Sequence, residues 1–352
     1  MRLPRFRSAA AAALAVLVLS SSRCSILELP RGEITVLSWN LQTLFDDRDD
    51  GVEFPGWSVA KGQWDSEGYR TRLRNFSRAA AAAVPGGPDI LVLQEVENLR
   101  VAEDLAALLP GSWPARIVSG GEGDAFRCAV LSRFPAVAAR AHAVDPGPGL
   151  RPEDLRPLLE VVLDAEGTPL TILAAHWKSK VGGAEATEPA RRAQAALAAR
   201  RIAEILAEDP AAEVLLAGDL NENPDEWDRV GRAWPTALLP AECAARAGGW
   251  TDRILLAAGP GEAGPGPAGL ALWSPWEEAR GFSYVHEGTE ERIDHVLLSP
   301  GLLDVRGLSF SSFSAEPDKE LLSDDGTPRA WDTRNREGYS DHLPLRLTLG
   351  RR

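Results

Sequence analysis

The chain has 352 residues, 44% of them hydrophobic and 25% charged, and a formal net charge of −13. These proportions are those of an ordinary soluble globular protein, and the length suits one large core or two modest ones. The acidic balance argues against tight, metal-free binding to DNA or to an anionic membrane, although it leaves room for an enzyme whose acids hold a divalent cation. No run of about 20 apolar residues occurs, so the sequence predicts no membrane-spanning helix.

The N-terminus has the pattern of an export signal. Three arginines, Arg2, Arg5 and Arg7, precede the apolar run Ala9–Leu19, and three serines follow it. We therefore predict a signal peptide over residues 1–24 and an exported protein that is periplasmic, secreted or envelope-attached. The alternative, an Ala-rich first helix of the domain, is disfavoured because no polar residues alternate along the run as in an amphipathic helix.

The cysteines leave two questions open. Cys24 lies where lipoproteins carry their acylated cysteine, but Arg23 occupies a position that usually holds a small residue. Cys128 and Cys243 could pair in an oxidising compartment, although sequence cannot show that they meet. Removal of residues 1–25, which contain four arginines and no acids, would take the formal net charge from −13 to −17.

Strand-like and helix-like segments alternate from there to the C-terminus. The chain has no internal repeat and no long linker, so we predict one domain over residues 32–350. Helical patterns run from near Tyr69 to Val84 and over Arg191–Glu208. The Gly/Pro-rich stretch Gly259–Gly269 predicts a surface loop.

Four short apolar segments have the composition of strands buried on both faces. They are Ile34–Trp39, Ile90–Leu93, Leu170–Ala175 and Val214–Ala217. Each segment ends at polar side chains that are capable of chemistry. These side chains are Asn40, Glu95, His176, Asp219 and Asn221. One polar strand end would mean little, but four of them indicate strand ends that converge on a common mouth.

Two later segments add acidic residues to this set. Asp294 lies within the strand-like run 292–298, and the pair Asp341 and His342 comes just before a strand pattern over Leu343–Leu349. Each of these residues has an ordinary structural explanation when taken alone, such as a turn, a surface acid or a satisfied core histidine. Taken together in this order, they indicate catalysis.

The motifs W-N, L-Q-E, H-W-K-S, G-D-L-N, R-I-D-H and S-D-H-L-P follow one another along the chain. A lone G-D-x-N is weak evidence, but six motifs in this order are specific. From about Ile34 to Leu349 the sequence resembles the endonuclease/exonuclease/phosphatase superfamily, the DNase I-like proteins. The stretch Leu44–Asp50 is similar to the exported, nuclease-like bacterial members. The resemblance implies an α/β fold, a four-layer sandwich of two packed mixed β-sheets flanked by helices, with the active site at one end.

The same resemblance implies a metal site formed by Asn40, Glu95 and Asp341. Independently of it, converging carboxylates repel one another unless a cation or protons intervene. Oxygen ligands without a thiolate or a histidine cluster suit Mg²⁺, with Mn²⁺ or Ca²⁺ as alternatives, rather than zinc. We therefore predict a Mg²⁺-dependent hydrolase of phosphate ester bonds.

The catalytic roles are likewise implied by the resemblance. Asp294 would pair with His342 and hold its tautomer. Asp219 would align or deprotonate the attacking water, while Asn221 and His176 would donate to phosphoryl oxygens. Whether Asp219 or His342 is the base stays open, because coupled groups titrate together.

Substrate contacts are predicted from position along the chain. Lys178 and Arg192 flank the motif at His176 and are predicted to bind substrate, and Trp273 and Trp276 are the candidates for a substrate-facing aromatic pair. The remaining histidines are predicted to be structural. They are His142, His286 and His295.

The preferred function is an exported nuclease acting on nucleic acid. The alternatives are a sphingomyelinase or phospholipase C-like enzyme, a hydrolase of small phosphodiesters, and an inactive binding module. The module is disfavoured because no motif position is visibly replaced. No obligate protein partner is implied.

Overall fold

The computed structural model of the protein describes residues 32–84, 86–120, 124–152, 155–244, 252–315 and 318–351. The predicted signal peptide, residues 1–24, and Cys24 with it lie outside these ranges. Within them, no helix is both long enough and apolar enough to cross a membrane. Cys128 and Cys243 are both free thiols.

Short apolar segments form the strands, as the residue pattern predicts. The strands are β1 (Glu33–Leu44), β2 (Ile90–Val96), β3 (Ala115–Val118), β4 (Arg127–Ser132), β5 (Ala136–His142), β6 (Leu158–Ala165), β7 (Thr168–His176), β8 (Glu213–Asp219), β9 (Leu238–Pro240), β10 (Ile254–Ala257), β11 (Gly264–Gly266), β12 (Gly269–Trp273), β13 (Tyr284–His286), β14 (Thr289–Glu291), β15 (Asp294–Leu298), β16 (Leu308–Ser314) and β17 (Leu345–Arg351). The α-helices are α1 (Ser66–Ala83), α2 (Leu99–Leu108), α3 (Ala184–Glu208), α4 (Glu226–Arg229) and α5 (Ala241–Ala244).

The strands form two large mixed sheets and one short hairpin. The first sheet has the order β16-β17-β1-β2-β4-β3, and the second has the order β5-β6-β7-β8-β15-β12-β10-β9 with β11 paired to β12. β1 runs parallel to β2 and β7 runs parallel to β8, whereas β15 runs antiparallel to β8. β13 and β14 form a separate two-stranded hairpin, and an isolated antiparallel bridge joins Tyr284 of β13 to His342.

The two sheets pack face to face and each carries helices on its outer face. Val36 and Val92 of the first sheet share one buried cluster with Ile172 and Leu215 of the second. The outer face of the first sheet packs against α1 and α2, and that of the second sheet packs against α3. The four-layer sandwich predicted from the sequence is confirmed.

Two helices begin earlier than their sequence patterns indicate. α1 begins at Ser66, because the Asp65 side chain accepts the amides of Glu67 and Gly68 and caps the first turn. α3 begins at Ala184 and continues through Pro189, which lies in its second turn and removes one backbone hydrogen bond there. The predicted loop Gly259–Gly269 is only partly a loop, because β11 within it pairs with β12 at the margin of the second sheet.

Candidate active site

Strand register brings the first three candidate residues into one row. β7 and β8 are parallel, so their carboxyl ends lie at the same edge, and His176 is in register with Asp219. β15 is antiparallel to β8 and begins at that edge, with Asp294 in register with Asp219. Three residues separated by as many as 118 positions are thereby adjacent across neighbouring strands.

The first sheet supplies the opposite side of the site through irregular backbone. β1 and β2 pair regularly up to Asn40, and both ladders of β2 then shift register before Val96. Glu95 has a φ of 60° and Asn221 a φ of 53°, a conformation that is costly for residues other than glycine. The bulged backbone aims these side chains out of the sheets and into the space between the two strand edges.

Asn40 joins the two sheets through its amide. Its Nδ2 donates to Glu95 Oε1 at 3.2 Å and to Asp219 Oδ2 at 3.0 Å, and its Oδ1 accepts the Gln42 amide at 3.0 Å. Glu95 Oε2 also accepts the Thr43 amide at 2.7 Å. Asn40 therefore fixes the separation of two carboxylates that would otherwise repel one another.

His342 forms an oriented pair with Asp294. Its Nδ1 lies 2.8 Å from Asp294 Oδ2, and its Nε2 points toward Asp219 Oδ2, 3.9 Å away. The Trp39 indole donates to the His342 carbonyl, and the Tyr284 ring lies 4.7 Å from the imidazole. The contact between Asp294 and His342 agrees with the sequence-based expectation, and it holds the imidazole with Nε2 facing the cluster.

His176 and Asn221 also border Asp219. His176 Nε2 lies 3.5 Å from Asp219 Oδ2 and 3.9 Å from Glu95 Oε1. The Asn221 amide donates to Asp219 Oδ1 at 2.9 Å, and its Nδ2 donates to the Trp177 carbonyl at 3.1 Å. One N–H of the Asn221 side chain is thus used to fix the loop, and the other is left for a ligand.

Burial and neighbouring charges shift three pKa values in the cluster. Burial raises the pKa of Asp219 to about 7, although the His342 cation opposes the rise. Burial disfavours the charged form of His342, but Asp294 and the other nearby carboxylates outweigh it and hold its pKa well above the usual value. Burial and the nearby Arg156 lower the pKa of His176 well below its usual value. Near neutral pH the site therefore contains a protonated His342 and a neutral His176.

Arg72 of α1 is a fully buried charge that holds the end of β1. Its guanidinium donates to the carbonyls of Leu41, Gln42 and Thr43 at distances of 2.6 to 2.8 Å. Gln42 and Thr43 both have positive φ angles, and their amides donate to Asn40 and Glu95 respectively. The sequence carries no signal for this role, because it depends on three carbonyls presented by a strained segment.

The donor set fits a hard divalent cation. In the described part of the chain, Asp341 Oδ1 is buried without a hydrogen-bond partner, and Glu95 lies beside it on the same cleft. No three acidic, histidine or cysteine side chains of the described residues already surround a common point as metal ligands. Mg²⁺ ordinarily takes only one or two carboxylates and keeps several waters, so a site based on Glu95 and Asp341 suits it.

These residues line a cleft of about 730 Å³. Its polar wall includes Arg156 and Lys180, and its aromatic wall includes Phe126 and Tyr284. His286, predicted to be structural, also lines the cleft, because the hairpin of β13 and β14 reaches over it. Arg156 and Phe126 lie outside all six motifs, so the sequence gives no signal for their place in the cleft.

The two predicted substrate-binding cations lie elsewhere. Neither Lys178 nor Arg192 is among the residues that line the cleft. The Lys178 amide donates to Gln194, and the Arg192 guanidinium pairs with Asp252. The turn after β7 and the phase of α3 direct these positions away from the mouth, and Lys180 lies at the mouth instead.

The predicted aromatic pair is also wrong. Trp273 and Trp276 are 1% and 2% exposed, and each packs edge-on against a phenylalanine of β16. The Trp276 indole donates to the Asp294 carbonyl and so helps to fix the backbone of this site residue. His142 and His295 do have structural contacts, with Glu160 and with the Glu222 carbonyl respectively.

A comparison with protein families identifies the class. The model of the Endonuclease/Exonuclease/phosphatase family matches residues 37–342. The chain belongs to this family. A comparison with curated proteins found no match.

Solved structures with the same fold come from several organisms. A truncated TDP2 of Caenorhabditis elegans is 19% identical with a TM-score of 0.53, over 90% of this chain and 98% of that one. A family protein of Bacteroides thetaiotaomicron is 18% identical with a TM-score of 0.53, over 91% and 98%. D. rerio TDP2 complexed with a single-strand DNA product is 17% identical with a TM-score of 0.51, over 91% and 100%.

Family membership and the geometry of the cleft agree on the general chemistry. The protein is a hydrolase of phosphate esters, in a family whose enzymes use divalent metal ions.

Proposed function

We propose that the protein is a Mg²⁺-dependent phosphodiesterase that cleaves nucleic acid. The observation that carries the proposal is the juxtaposition of an oriented His342, paired with Asp294 at 2.8 Å, and a buried Asp219 shared by His176 and Asn40. Phosphodiester hydrolysis needs an activated water, stabilisation of charge on the phosphoryl oxygens and help for the leaving oxygen. The cleft holds groups suited to each of these tasks.

In the proposed mechanism, Asp219 accepts the proton of the attacking water. Burial raises its pKa, which makes it a stronger base than an exposed aspartate. The His342 imidazolium, held by Asp294, donates from Nε2 to a phosphoryl oxygen and stabilises its developing charge. Neutral His176 and the free N–H of Asn221 donate to the same phosphoryl group.

Glu95 and Asp341 would hold the divalent cation, with Asn40 fixing the position of Glu95. When bound, the cation supplies Lewis-acid stabilisation of charge on the phosphate and its leaving oxygen. Asp341 Oδ1 is buried and has no hydrogen-bond partner among the described residues, and a bound cation would satisfy it.

Nucleic acid is the proposed substrate because the cleft combines cations with aromatic rings. Arg156 and Lys180 line it together with Phe126 and Tyr284, and aromatic side chains are groups against which bases stack. The Arg156 guanidinium lies 5.5 Å from the centroid of the Phe126 ring. The D. rerio TDP2 structure with a single-strand DNA product, which has the same fold, supports this choice. The acidic chain as a whole opposes polyanion binding, so cleavage is expected to be slow, non-specific and sensitive to salt.

A substrate panel tests the proposal. Plasmid DNA, single-stranded DNA, RNA, sphingomyelin and bis-p-nitrophenyl phosphate are compared at matched protein concentration, with Mg²⁺ and with EDTA. We expect hydrolysis of nucleic acid to exceed that of sphingomyelin and to stop in EDTA. Full activity in EDTA contradicts the metal-dependent mechanism, and faster cleavage of sphingomyelin assigns the enzyme to the phospholipase branch.

We also propose that the protein is exported after removal of residues 1–24. The basic start and the short apolar run of the sequence support this. Intact-mass analysis of envelope and culture fractions is expected to find the shortened chain, with an added acyl mass if Cys24 is lipidated. Retention of Met1 in all fractions contradicts the proposal.

A further inference from the structure

Beside the cleft, the chain between β1 and α1 forms a turn with an excess of negative charge. We call residues 46–53 together with Glu97 the acidic turn. Its acids are Asp46, Asp47, Asp49, Asp50, Glu53 and Glu97. Arg100 pairs with Asp46 and Asp47 at 2.9 and 2.7 Å, and Asp49 is held by the amides of Val59 and Ala60. The pairs neutralise one end of the turn and leave the other end negative.

Glu97 sets this turn apart from an ordinary acidic surface. Its side chain is 1% exposed, its Oε2 accepts the Asp46 amide at 2.6 Å, and its Oε1 has no hydrogen-bond partner among the described residues. The charges that act on it come from Asp46, Asp50 and Glu53. A buried carboxylate oxygen without a partner, close to other acids, is costly when ionised, so it takes up either a proton or a positive ligand.

We propose that the acidic turn is a binding site for Ca²⁺, separate from the metal site of the cleft. Glu97 Oε1 would be the buried ligand, and Asp50 and Glu53 would close onto the ion from the solvent side. Several oxygen ligands on a surface turn suit Ca²⁺, which accepts variable geometry, better than Mg²⁺, which demands a near-ideal octahedron.

Closure of the turn is part of the proposal. No three acidic side chains in the described ranges already enclose one point, so the ion binds as Asp50 and Glu53 move inward. Asp50 is exposed, and the Glu53 carboxylate accepts the amides of Asp50 and Gly51, so hydrogen bonds link the two acids within the turn. Gly51, with a φ of 90°, permits the tight bend between them.

The site would also brace the aromatic wall of the cleft. Phe54 directly follows the turn and packs against Phe126 with 4.9 Å between ring centroids, and Phe126 lines the cleft. Phe45, directly before the turn, contacts Phe54 at 5.8 Å. An ion held between these flanking residues would therefore order one wall of the substrate cleft without contacting substrate.

Terbium luminescence tests the proposal, because an indole lies at the site. Trp64 donates its Nε1 to the Asp46 carbonyl at 2.7 Å, which places it to sensitise bound Tb³⁺. Tb³⁺ is titrated into the purified protein and displaced with Ca²⁺, and Ca²⁺ binding is measured in parallel by calorimetry. We expect wild-type Kd values for Ca²⁺ of about 10⁻⁴ to 10⁻³ M, the range of extracellular calcium modules.

Two variants and a matched control locate the ion. Glu97→Gln keeps the size and the acceptor for Asp46, and is expected to weaken Ca²⁺ binding by at least about 10-fold. Asp49→Asn removes one charge from the same turn but not from the group around Glu97, and is expected to change affinity by less than about 3-fold. Glu95→Gln removes the predicted cleft ligand and is expected to leave this signal in place.

Any of three results overturns the proposal. The first is the absence of Ca²⁺ binding to the wild-type protein at 10⁻² M, on the order of ten times the weakest expected Kd. The second is an unchanged Ca²⁺ affinity in a folded Glu97→Gln protein. The third is loss of the terbium signal in Glu95→Gln instead. Circular dichroism and the melting temperature without Ca²⁺ establish that each variant is folded. The binding readout is independent of catalysis, so an inactive enzyme leaves the test intact.

Discussion

Two buried charged clusters follow the same strand, β8. They differ in how completely their buried side-chain atoms are hydrogen-bonded within the protein. The first is the cleft cluster around Asp219, and the second lies under α3 around Glu222, three residues further along. Arg191 in the second cluster donates from each of its three nitrogens, to Glu188, to Glu222 and to two backbone carbonyls. Glu222 accepts from Arg191 and from the amides of Ala237 and Leu238.

In the described ranges the cleft cluster leaves three buried side-chain atoms without a hydrogen-bond partner, whereas the α3 cluster leaves one, Glu188 Oε1. Asp341 Oδ1, Asp294 Oδ1 and His176 Nδ1 have no hydrogen-bond partner in the described ranges. Each unsatisfied buried polar group costs about 1–3 kcal/mol. The α3 cluster, in which Arg191 pairs with both acids, stabilises the fold, whereas unpaired atoms of the cleft cluster are available to ligands.

The largest expected effect is loss of the cleft's oriented histidine. His342→Ala is expected to lower kcat/KM on bis-p-nitrophenyl phosphate by about 10²–10⁴-fold, the range for a lost general acid–base group. The substitution also leaves Asp294 buried without its imidazolium, so folding of the variant is checked by circular dichroism before its activity is compared. An unimpaired, folded His342→Ala protein would remove His342 from the mechanism.

Disruption of the α3 cluster should have the opposite signature. Arg191→Met leaves Glu188 and Glu222 buried without their cation, and is expected to lower the free energy of unfolding in urea by about 3–5 kcal/mol. Arg192→Met is the matched control one position away. Its guanidinium is 32% exposed and pairs with a half-exposed Asp252, so the expected change is within about 1 kcal/mol. Equal destabilisation by the two variants would show that burial does not distinguish them.

The sequence predicts the cleft cluster well because of how strands end. Polar residues that directly follow apolar runs lie at a sheet edge, and parallel β7 and β8 bring His176 and Asp219 to the same edge. The order of the six motifs therefore contains most of the information about which residues meet. The register shifts at Asn40 and Glu95, which aim those side chains, leave no comparable signature in the residue pattern.

Position along the chain does not determine which side chains face the cleft, and the predictions for Lys178 and for the tryptophan pair fail for this reason. Lys178 and Lys180 are two residues apart in a turn, and the local backbone decides which of them reaches the cleft; Lys180 does, held by Glu226 at 2.6 Å. Trp273 ends a strand, and Trp276 follows in a short turn that packs inward, so a loop-like composition did not mean exposure. Arg72 resembles any helical arginine until the carbonyls it binds are in place.

Another buried carboxylate, Glu213 at the start of β8, extends the comparison of the two clusters to the pH dependence of stability. Its Oε1 accepts the Leu308 amide at 2.6 Å, but its Oε2 has no partner in the part of the chain that the structure describes. Burial, with a smaller contribution from Asp304, raises its pKa from the usual 4.5 to about 7. It lies outside the cleft, so its unpaired oxygen has no proposed ligand.

The raised pKa of Glu213 fixes the direction of the pH dependence. Between pH 4.5 and 7 the folded protein binds a proton at Glu213 that the unfolded chain has released, so its contribution to stability is complete below pH 4.5 and is lost as pH rises through about 7. Glu213→Gln cannot lose this proton. The variant should match the wild type near pH 4 and exceed its unfolding free energy by about 1–3 kcal/mol at pH 8. Urea unfolding at both pH values measures the difference, with Glu204→Gln on the exposed side of α3 as the control. A difference between Glu213→Gln and wild type that does not grow with pH would mean that Glu213 is already ionised in the folded protein, and that an unpaired buried oxygen need not mark either a cost or a ligand.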